Sequence, residues 1–439
     1  MSGGDAMLMT DDSAPFRDAF DQVLATVAEP AWLTTRRRAE MDRFALLGFP
    51  TRRQEAWRFT DLEPLIAAPP LPAPPLPAAG GGDGPAPASL APWLLPAPTH
   101  RLVLVDGRFA PALSAGGALP TGVWLAPVAE TLRRRPDMLE GAFGDGEEAF
   151  AALNAALFTD GVVLALEPGV VLETPVEIIH HTMSAAHARL HIALGAGAQA
   201  TVVETAMGTG GGWGNTVGVI SLGAGAVLTH LHIQAEDPAA CHTAAVRAAL
   251  ADQARYEACA LITGGRLSRR DMAVTLAGDG AQFRLHGAYL LDGEQEATLS
   301  VRADHLGLGC RTEEVVKGVL AGASHGVFLG TVAVAPGADG TDARQLNRNL
   351  LLSPQARVDT KPELEILADD VKCSHGATVG SLDEASLFYL QARGIDPETA
   401  RRMLVEAFAV DAIDAAGLPD ALAALARRHL RRWLDGGAS

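Results

Sequence analysis

The sequence predicts a mainly β protein, with a β-solenoid core flanked by N-terminal and C-terminal α-helical regions. Three observations carry this. Turn glycines at Gly169, Gly197, Gly225, Gly280 and Gly337 are spaced by 28, 28, 55 and 57 residues, which are one, one, two and two units of a single period. The skipped slot near residue 253 is filled by Ala251-Asp-Gln-Ala254, which is also turn chemistry. β-Branched alternation flanks several of the turns, as in Ala200-Thr-Val-Val-Glu204 and Val227-Leu-Thr-His-Leu-His-Ile233. Strand-and-turn units that cannot bury their faces alone do so by stacking, so coils are expected over about 160 to 345. Before residue 63 and after 381 the apolar period is helical instead.

Residues 1–63 read as an N-terminal helical region. Ser13 is placed to cap a helix carrying Phe16, Phe20, Val23, Leu24 and Val27 at the 3.6 period, and a second runs from about Trp32 to Leu47 until Gly48 and Pro50 stop it. From Pro64 to Pro98 there are twelve prolines, the run Gly80-Gly-Gly82 and a single charged residue, Asp83. Proline fixes φ and removes donors, so 64–99 reads as an extended or disordered linker. Residues 100–160 form a mixed lead-in, with a strand at Arg101 to Val105 and helical patterns around Pro127 to Arg135 and Glu147 to Leu157. The solenoid then occupies 161–380. In the C-terminal helical region, 381–439, Ser381-Leu-Asp-Glu384 reads as a capping box, and Gly394 closes that helix. A second helix opens at Asp396-Pro397 and runs through Phe408, and a third covers about Asp420 to Leu434.

A chain of 439 residues with 48% hydrophobic content buries a large core, sized for two to three units. Its net charge of −17 and pI near 5.2 exclude an electrostatic grip on nucleic acid or anionic lipid. The short runs Arg36-Arg-Arg38 and Arg133-Arg-Arg135 read as solvated helix faces. Met1 to Asp12 has no signal-peptide pattern, and no apolar stretch reaches the roughly 18 residues of a spanning helix, so the expected location is cytoplasmic. Cys241, Cys259, Cys310 and Cys373 are far apart and form no Cys-x-x-Cys, which fits free thiols rather than disulfides or structural zinc.

Gly195-Ala-Gly-Ala-Gln-Ala200 matches a dinucleotide fingerprint, but a strand pattern follows it where the phosphate site needs a helix. Gly208-Thr-Gly-Gly-Gly-Trp-Gly214 lacks the Lys-Ser or Lys-Thr of a phosphate loop and reads as a flexible hairpin tip. Histidines gather at 180, 181, 187, 191, 230 and 232; His230 and His232 share a strand face and, with His191 on a neighbouring rung, form a candidate metal site set against solvated or hydrogen-bonded histidines.

The stretch with the most chemistry is Asp359 to Gly380. If Val371 to His375 is extended, the period of two sends Cys373 and His375 to one face and Lys372 and Ser374 to the other. Taken alone, an arbitrary Cys-x-His is more often a buried small hydrophobe beside a satisfied core histidine; thiolate and neutral imidazole are also ligands for iron, and a single Cys-x-His cannot complete the coordination of a cluster.

These words resemble the SufB/SufD family of the SUF iron–sulfur cluster assembly machinery. The resemblance runs through Thr360-Lys-Pro-Glu-Leu-Glu-Ile366, Asp369-Asp-Val-Lys-Cys-Ser-His-Gly-Ala-Thr378, Leu387-Phe-Tyr-Leu390 and Arg393-Gly394. Upstream lie Lys317-Gly-Val319, Gly326-Val-Phe328, Thr341-Asp-Ala343 and Asn347-Arg-Asn-Leu-Leu-Leu-Ser353, and near the N-terminus Arg53-Gln-Glu-Ala-Trp-Arg-Phe-Thr-Asp-Leu62, in which Trp57 is expected to pack. SufB carries Cys-Glu-His-Glu-Ala where this chain has Cys373-Ser-His375-Gly-Ala, which sides with SufD. The resemblance implies a right-handed parallel β-helix and a non-catalytic scaffold that pairs with SufB through the solenoid cores. It also implies a transient Fe–S cluster at the seam, shared with SufB through His375 and Cys373, and no stably bound cofactor. SufC, an ABC-type ATPase, would bind the C-terminal helical region, where Leu387, Phe388, Tyr389 and Arg393 are the expected contacts and Met403, Phe408 and Trp433 add apolar surface. His305 and Cys310 lie where the family places a histidine and a small polar residue, but the family's further upstream His and Asp are absent around Glu294-Gln-Glu-Ala297, and no chemistry is assigned there.

Two rivals stand beside this reading. A β-helix polysaccharide-acting enzyme would use paired acids, of which Asp369-Asp370 is the one instance near the thiol. A standalone thiol enzyme would use Cys373 and His375 as a couple, although side chains two apart on a strand project in parallel.

Overall fold

A run of residues built to stack rather than to close on itself occupies the middle of the chain. The computed structural model describes residues 14–26, 29–67, 69–71, 90–96, 98–140 and 148–437. Its first strands are β1 (His100–Val105), β2 (Arg108–Phe109), β3 (Val123–Pro127) and β4 (Asp160–Leu166). The coils continue through β5 (Val176–Thr182), β6 (Ala185–Leu194), β7 (Gln199–Gly208), β8 (Trp213–Leu222), β9 (Val227–Gln234), β10 (Cys241–Leu250), β11 (Arg255–Ile262) and β12 (Leu267–Leu276). They end with β13 (Gln282–Leu291), β14 (Glu296–His305), β15 (Arg311–Leu320), β16 (His325–Val334), β17 (Thr341–Leu351), β18 (Arg357–Ile366) and β19 (Val371–Gly380). From β4 onward successive strands alternate between two sheets, and from β6 onward each pairs in parallel with the strand two before it, giving a parallel β-solenoid of about eight coils. The pairings Val176↔Val202, Trp213↔Cys241 and His325↔Arg357 mark coils of 26, 28 and 32 residues.

The turns explain the glycine period. Gly169, Gly197, Gly225, Gly280, Gly309 and Gly337 all have φ between 63° and 82°, and Gln253 fills its slot at φ 55°. These turns form a ladder of their own: the N–H of Gly197, Gly225 and Gln253 each donates at 2.8 Å to the carbonyl of the next coil, at Ala224, Asp252 and Asp279. The double spacing from Gly280 to Gly337 hides Gly309. The coils also continue past residue 345, through β18 and β19.

Alternation sends Leu164, Ile192, Ile220, Val246, Val274 and Val301 to the interior between the sheets. The outer faces are apolar where helices cover them. Phe16, Phe44, Phe49, Trp57 and Phe150 pack with Trp213, Cys241 and Leu267. On the other sheet, Leu231, Ile233, Leu261, Leu290 and Val319 lie under Val405, Ile413, Leu425, Leu430 and Trp433.

The helices differ from the sequence reading in detail. The first spans Ala14–Thr26; its expected cap Ser13 and its Val27 lie outside the described residues. The second, Ala31–Leu47, ends at Gly48, φ 63°. Arg37 in it is not solvated: it is fully buried and paired with Glu29 at 2.9 Å, whereas Arg133, Arg134 and Arg135 are exposed as expected. Parts of the proline-rich segment pack, because a proline in the first turn costs no hydrogen bond. Leu65 is buried in the short helix Glu63–Ile66, and Leu90 and Leu95 flank a 3₁₀ turn at Ala91–Trp93; much of the rest of that segment lies outside the described residues. Asp383, not Ser381, caps the helix Glu384–Ala392, accepting from the N–H groups of Ala385 and Ser386, since a carboxylate is the stronger acceptor there. The helix opened by Asp396 continues to Ala415, and the last runs Asp420–Gly437. The glycine-rich segment after β7 is a coil corner rather than a hairpin tip, because β7 and β8 belong to different sheets.

Candidate functional site

The last coil is unlike the others. β18 and β19 end their sheets, and none of their residues is buried, whereas the inward residues of β17 still are. Among the described residues the solenoid therefore stops on two edge strands whose outer N–H and C=O groups have no further strand to pair with. Apolar side chains are left around this end, with Leu367 70% and Val379 50% exposed.

Cys373 and His375 stand on β19 at this open end. β19 lies in register on β17, with Ala343↔Cys373 and Gln345↔His375. Ala343 and Gln345 are buried inward-facing residues, so the two side chains share the interior-side face, as the period of two predicts. Cys373 is half-buried and, like Leu364 and Val371, packs against the buried cluster of Val332, Val334, Ala338 and Ala343. Burial pushes its thiol up, the nearby Asp342 charge adds to this, and the Ala343 N–H opposes it. Such a thiol is not activated as a nucleophile, which counts against the standalone thiol enzyme. His375 is exposed. Among the described residues no group of three or more His, Cys, Asp or Glu is arranged to hold a metal ion. Asp369 and Asp370 sit exposed in the turn before β19.

Beneath this face runs a polar column that sequence reasoning missed. Glu314, Gln345 and His375 occupy one position on β15, β17 and β19. Gln345 Nε2 donates to Glu314 Oε2 at 3.1 Å, and burial raises the Glu314 carboxyl to about 8. Two coil lengths of 31 and 30 residues separate the three, and nothing local in the sequence links them.

The histidine cluster is internal. Glu204 lies 3.0 Å from His180 Nε2 and 3.3 Å from His230 Nε2. Burial alone would raise its pKa, but the adjacent His180 and His230 imidazoles hold it well below the usual carboxylate range. His242 bonds Glu236 at 2.7 Å. His191 does not join His230 and His232: it sits on β6 in the other sheet, in register with Val163 and Val219, and His187 packs on Trp213. The expected trio is not brought together. His305 is buried, bonded to Thr312 Oγ1 at 2.8 Å, and burial lowers it to about 4. The Gly195–Ala200 turn leads into β7, a strand, so it offers no helix N-terminus to a dinucleotide.

At the C-terminus the helix Glu384–Ala392 has no buried residue. Phe388 is 72% and Tyr389 57% exposed, Leu387 is half-buried, and Arg393 Nη2 donates to Tyr389 Oη at 3.0 Å, which holds the phenol in place. Trp433 instead belongs to the packed layer on the solenoid and Phe408 is half-buried against it, while Met403 is exposed. Among the described residues no helix is long and apolar enough to cross a membrane.

Comparison with known proteins agrees with this geometry. Residues 178–408 match the family described as SUF system FeS cluster assembly, SufBD core domain, and residues 96–178 match the SufBD protein N-terminal region. The chain is 31% identical over 416 residues to an iron–sulfur cluster assembly SufBD family protein of Synechocystis, covering 90% of each. It is 31% identical over 377 residues to the iron–sulfur cluster assembly protein SufD of Escherichia coli, covering 84% of this chain and 85% of that protein. A chloroplastic protein of Arabidopsis thaliana, ABCI7, is 30% identical over 83% of this chain. With a β-solenoid ending in an open Cys373/His375 edge and these matches along most of its length, the chain belongs to the SufBD family of the SUF iron–sulfur cluster assembly system and is SufD-like within it.

Proposed function

We propose that this chain is a non-catalytic scaffold subunit that pairs with a SufB protein through its open last coil, so that a nascent iron–sulfur cluster is built at the seam. His375 and Cys373 supply ligands from this side, SufB supplies the rest, and the cluster leaves as cargo rather than staying as a cofactor. The observation that carries the reading is the uncovered coil: two strands with open outer edges and exposed apolar side chains accompany a thiol and an imidazole that are too few to hold a cluster alone. A SufC-type ATPase docks on the helix Glu384–Ala392 through Leu387, Phe388 and Tyr389, with Arg393 steadying the ring. Free thiols and the acidic charge suit work in the cytoplasm without nucleic acid or membrane.

The test is co-purification with SufB and SufC proteins, followed by reconstitution with iron and sulfide. His375→Ala is expected to leave the complex intact and to lower cluster absorbance and iron content, with Cys373→Ala milder. Normal cluster yield from His375→Ala in a complex of normal composition would reject the site.

A further inference from the structure

Gln345 is nearly fully buried and makes one hydrogen bond through its amide nitrogen, to Glu314. That bond orients the amide and leaves the carbonyl oxygen Oε1 buried with no partner among the described residues. An unsatisfied buried acceptor is costly, and each one calls for an explanation. The next side chain in the column, one strand spacing of about 4.8 Å toward the open end, is His375, whose ring carries N–H donors. Room for the amide is kept by Gly330: a Cβ there would come within 2.9 Å of Gln345 Nε2 and of the Phe328 ring, which is itself buried.

We propose that Gln345 is a positioning residue for His375: its Oε1 accepts the ring N–H, fixing one tautomer and turning the other ring nitrogen, with its lone pair, toward the open seam. Glu314 holds Gln345 from below, so the column Glu314, Gln345, His375 aims the imidazole before the partner arrives. The inference rests on the proposed role of His375 in holding iron. A ligating imidazole commonly has its second nitrogen held in this way, and loss of the holding group costs about 10- to 100-fold in metal affinity.

The full-length chain with ¹⁵N-labelled histidine provides the first readout, with the His375 signals identified by their loss in His375→Asn. One tautomer is expected to dominate in the unmodified chain, and both to be populated in Gln345→Met and in Gly330→Ala. Because Gln345→Met strips Glu314 of its donor, Glu314→Leu/Gln345→Met, which makes the column apolar, covers a failure of the single variant to fold. An unchanged tautomer ratio in the folded variants overturns the proposal. In the complex with SufB and SufC proteins, the same variants are expected to need about 10-fold more ferrous iron for half-maximal cluster formation. If His375→Ala builds clusters normally, the ligand role fails, while the tautomer result still judges whether Gln345 holds the ring.

Discussion

Lys317 reaches out of β15 to Asp411 on the helix Pro397–Ala415, with Nζ 2.5 Å from Oδ2. The same ammonium donates to the Phe408 carbonyl at 2.9 Å and lies 4.6 Å from the Phe408 ring centroid. The lysine side chain is nearly buried while Asp411 is largely exposed, so the two ends of this pair are not equivalent. Removing the carboxylate leaves a buried charge underpaired; removing the lysine leaves a carboxylate in water. Asp411→Ala is therefore expected to cost about 1–3 kcal/mol and Lys317→Met less than about 1 kcal/mol. Urea denaturation of both variants checks the order, and the reverse order would mean that the pair acts as a surface bridge.

That tie bears on how the ATPase surface can be tested. The last two helices cover Leu231, Ile233, Leu261, Leu290 and Val319, so deleting residues 381–439 would bare a broad apolar sheet face and is expected to yield aggregated protein. Point changes on the unburied helix avoid this. Phe388→Asp with Tyr389→Asp is expected to shift stability by no more than about 0.5 kcal/mol while abolishing capture of a SufC protein. Full capture by the folded double variant would remove this helix from the docking surface.

The solenoid is legible in the sequence because one backbone conformation, positive φ at a stacked turn, recurs once per coil and selects glycine at most of the turns. Where another residue fills the slot, as at Gln253, the period survives only as turn chemistry. The Cys373/His375 face is legible because strand alternation is local. The column under His375 is not, since Glu314 and Gln345 become neighbours only through coil lengths that vary by several residues. For the same reason His191 reads as a partner of His230 when it belongs to the opposite sheet. Arg37 is hidden differently: a basic triplet on a helix resembles a solvated face unless the tertiary partner, Glu29 together with the Ala156 and Phe158 carbonyls, is known.

Arg37 supplies the next prediction. Both members of the Arg37–Glu29 pair are almost wholly buried, so Glu29→Ala leaves a guanidinium without its counter-charge. The expected cost is about 3–5 kcal/mol, with Glu29→Gln less severe because it keeps a hydrogen-bond acceptor. Chemical denaturation distinguishes the two, and equal costs would point to lost packing instead of an unpaired charge.

The turn ladder makes a sharper claim about backbone conformation. At Gly197, φ 69°, no atom lies within 4 Å of an added Cβ, so Gly197→Ala meets no clash and is expected to lose about 1–2 kcal/mol from the left-handed backbone alone. Gln253 already bears that strain, partly offset by its side-chain bond to the Asp279 carbonyl at 3.2 Å. Gln253→Gly is thus expected to be neutral or to stabilise by up to about 1 kcal/mol. Thermal melts of the two variants should move in different directions or not at all for Gln253; a clear loss at Gln253→Gly would mean the side-chain bond outweighs the strain.

Glu314 predicts how stability depends on pH. An unfolded glutamate ionises near 4.5, whereas burial holds this one protonated to about 8, with the Gln345 hydrogen bond pulling the other way. Between those values the folded state keeps a proton that the unfolded state releases. Its contribution is complete below about 4.5 and is lost as pH rises toward 8, at about 1.4 kcal/mol per pH unit across that window. Glu314→Gln removes the titration while keeping an acceptor for Gln345 Nε2, so the variant should gain on the unmodified chain steadily from pH 5 to pH 8, reaching a few kcal/mol. Urea denaturation of both proteins at pH 5, 6.5 and 8 measures this. Parallel pH profiles would mean that Glu314 ionises normally in the fold, which requires water to reach a carboxylate that the stacked coils enclose completely.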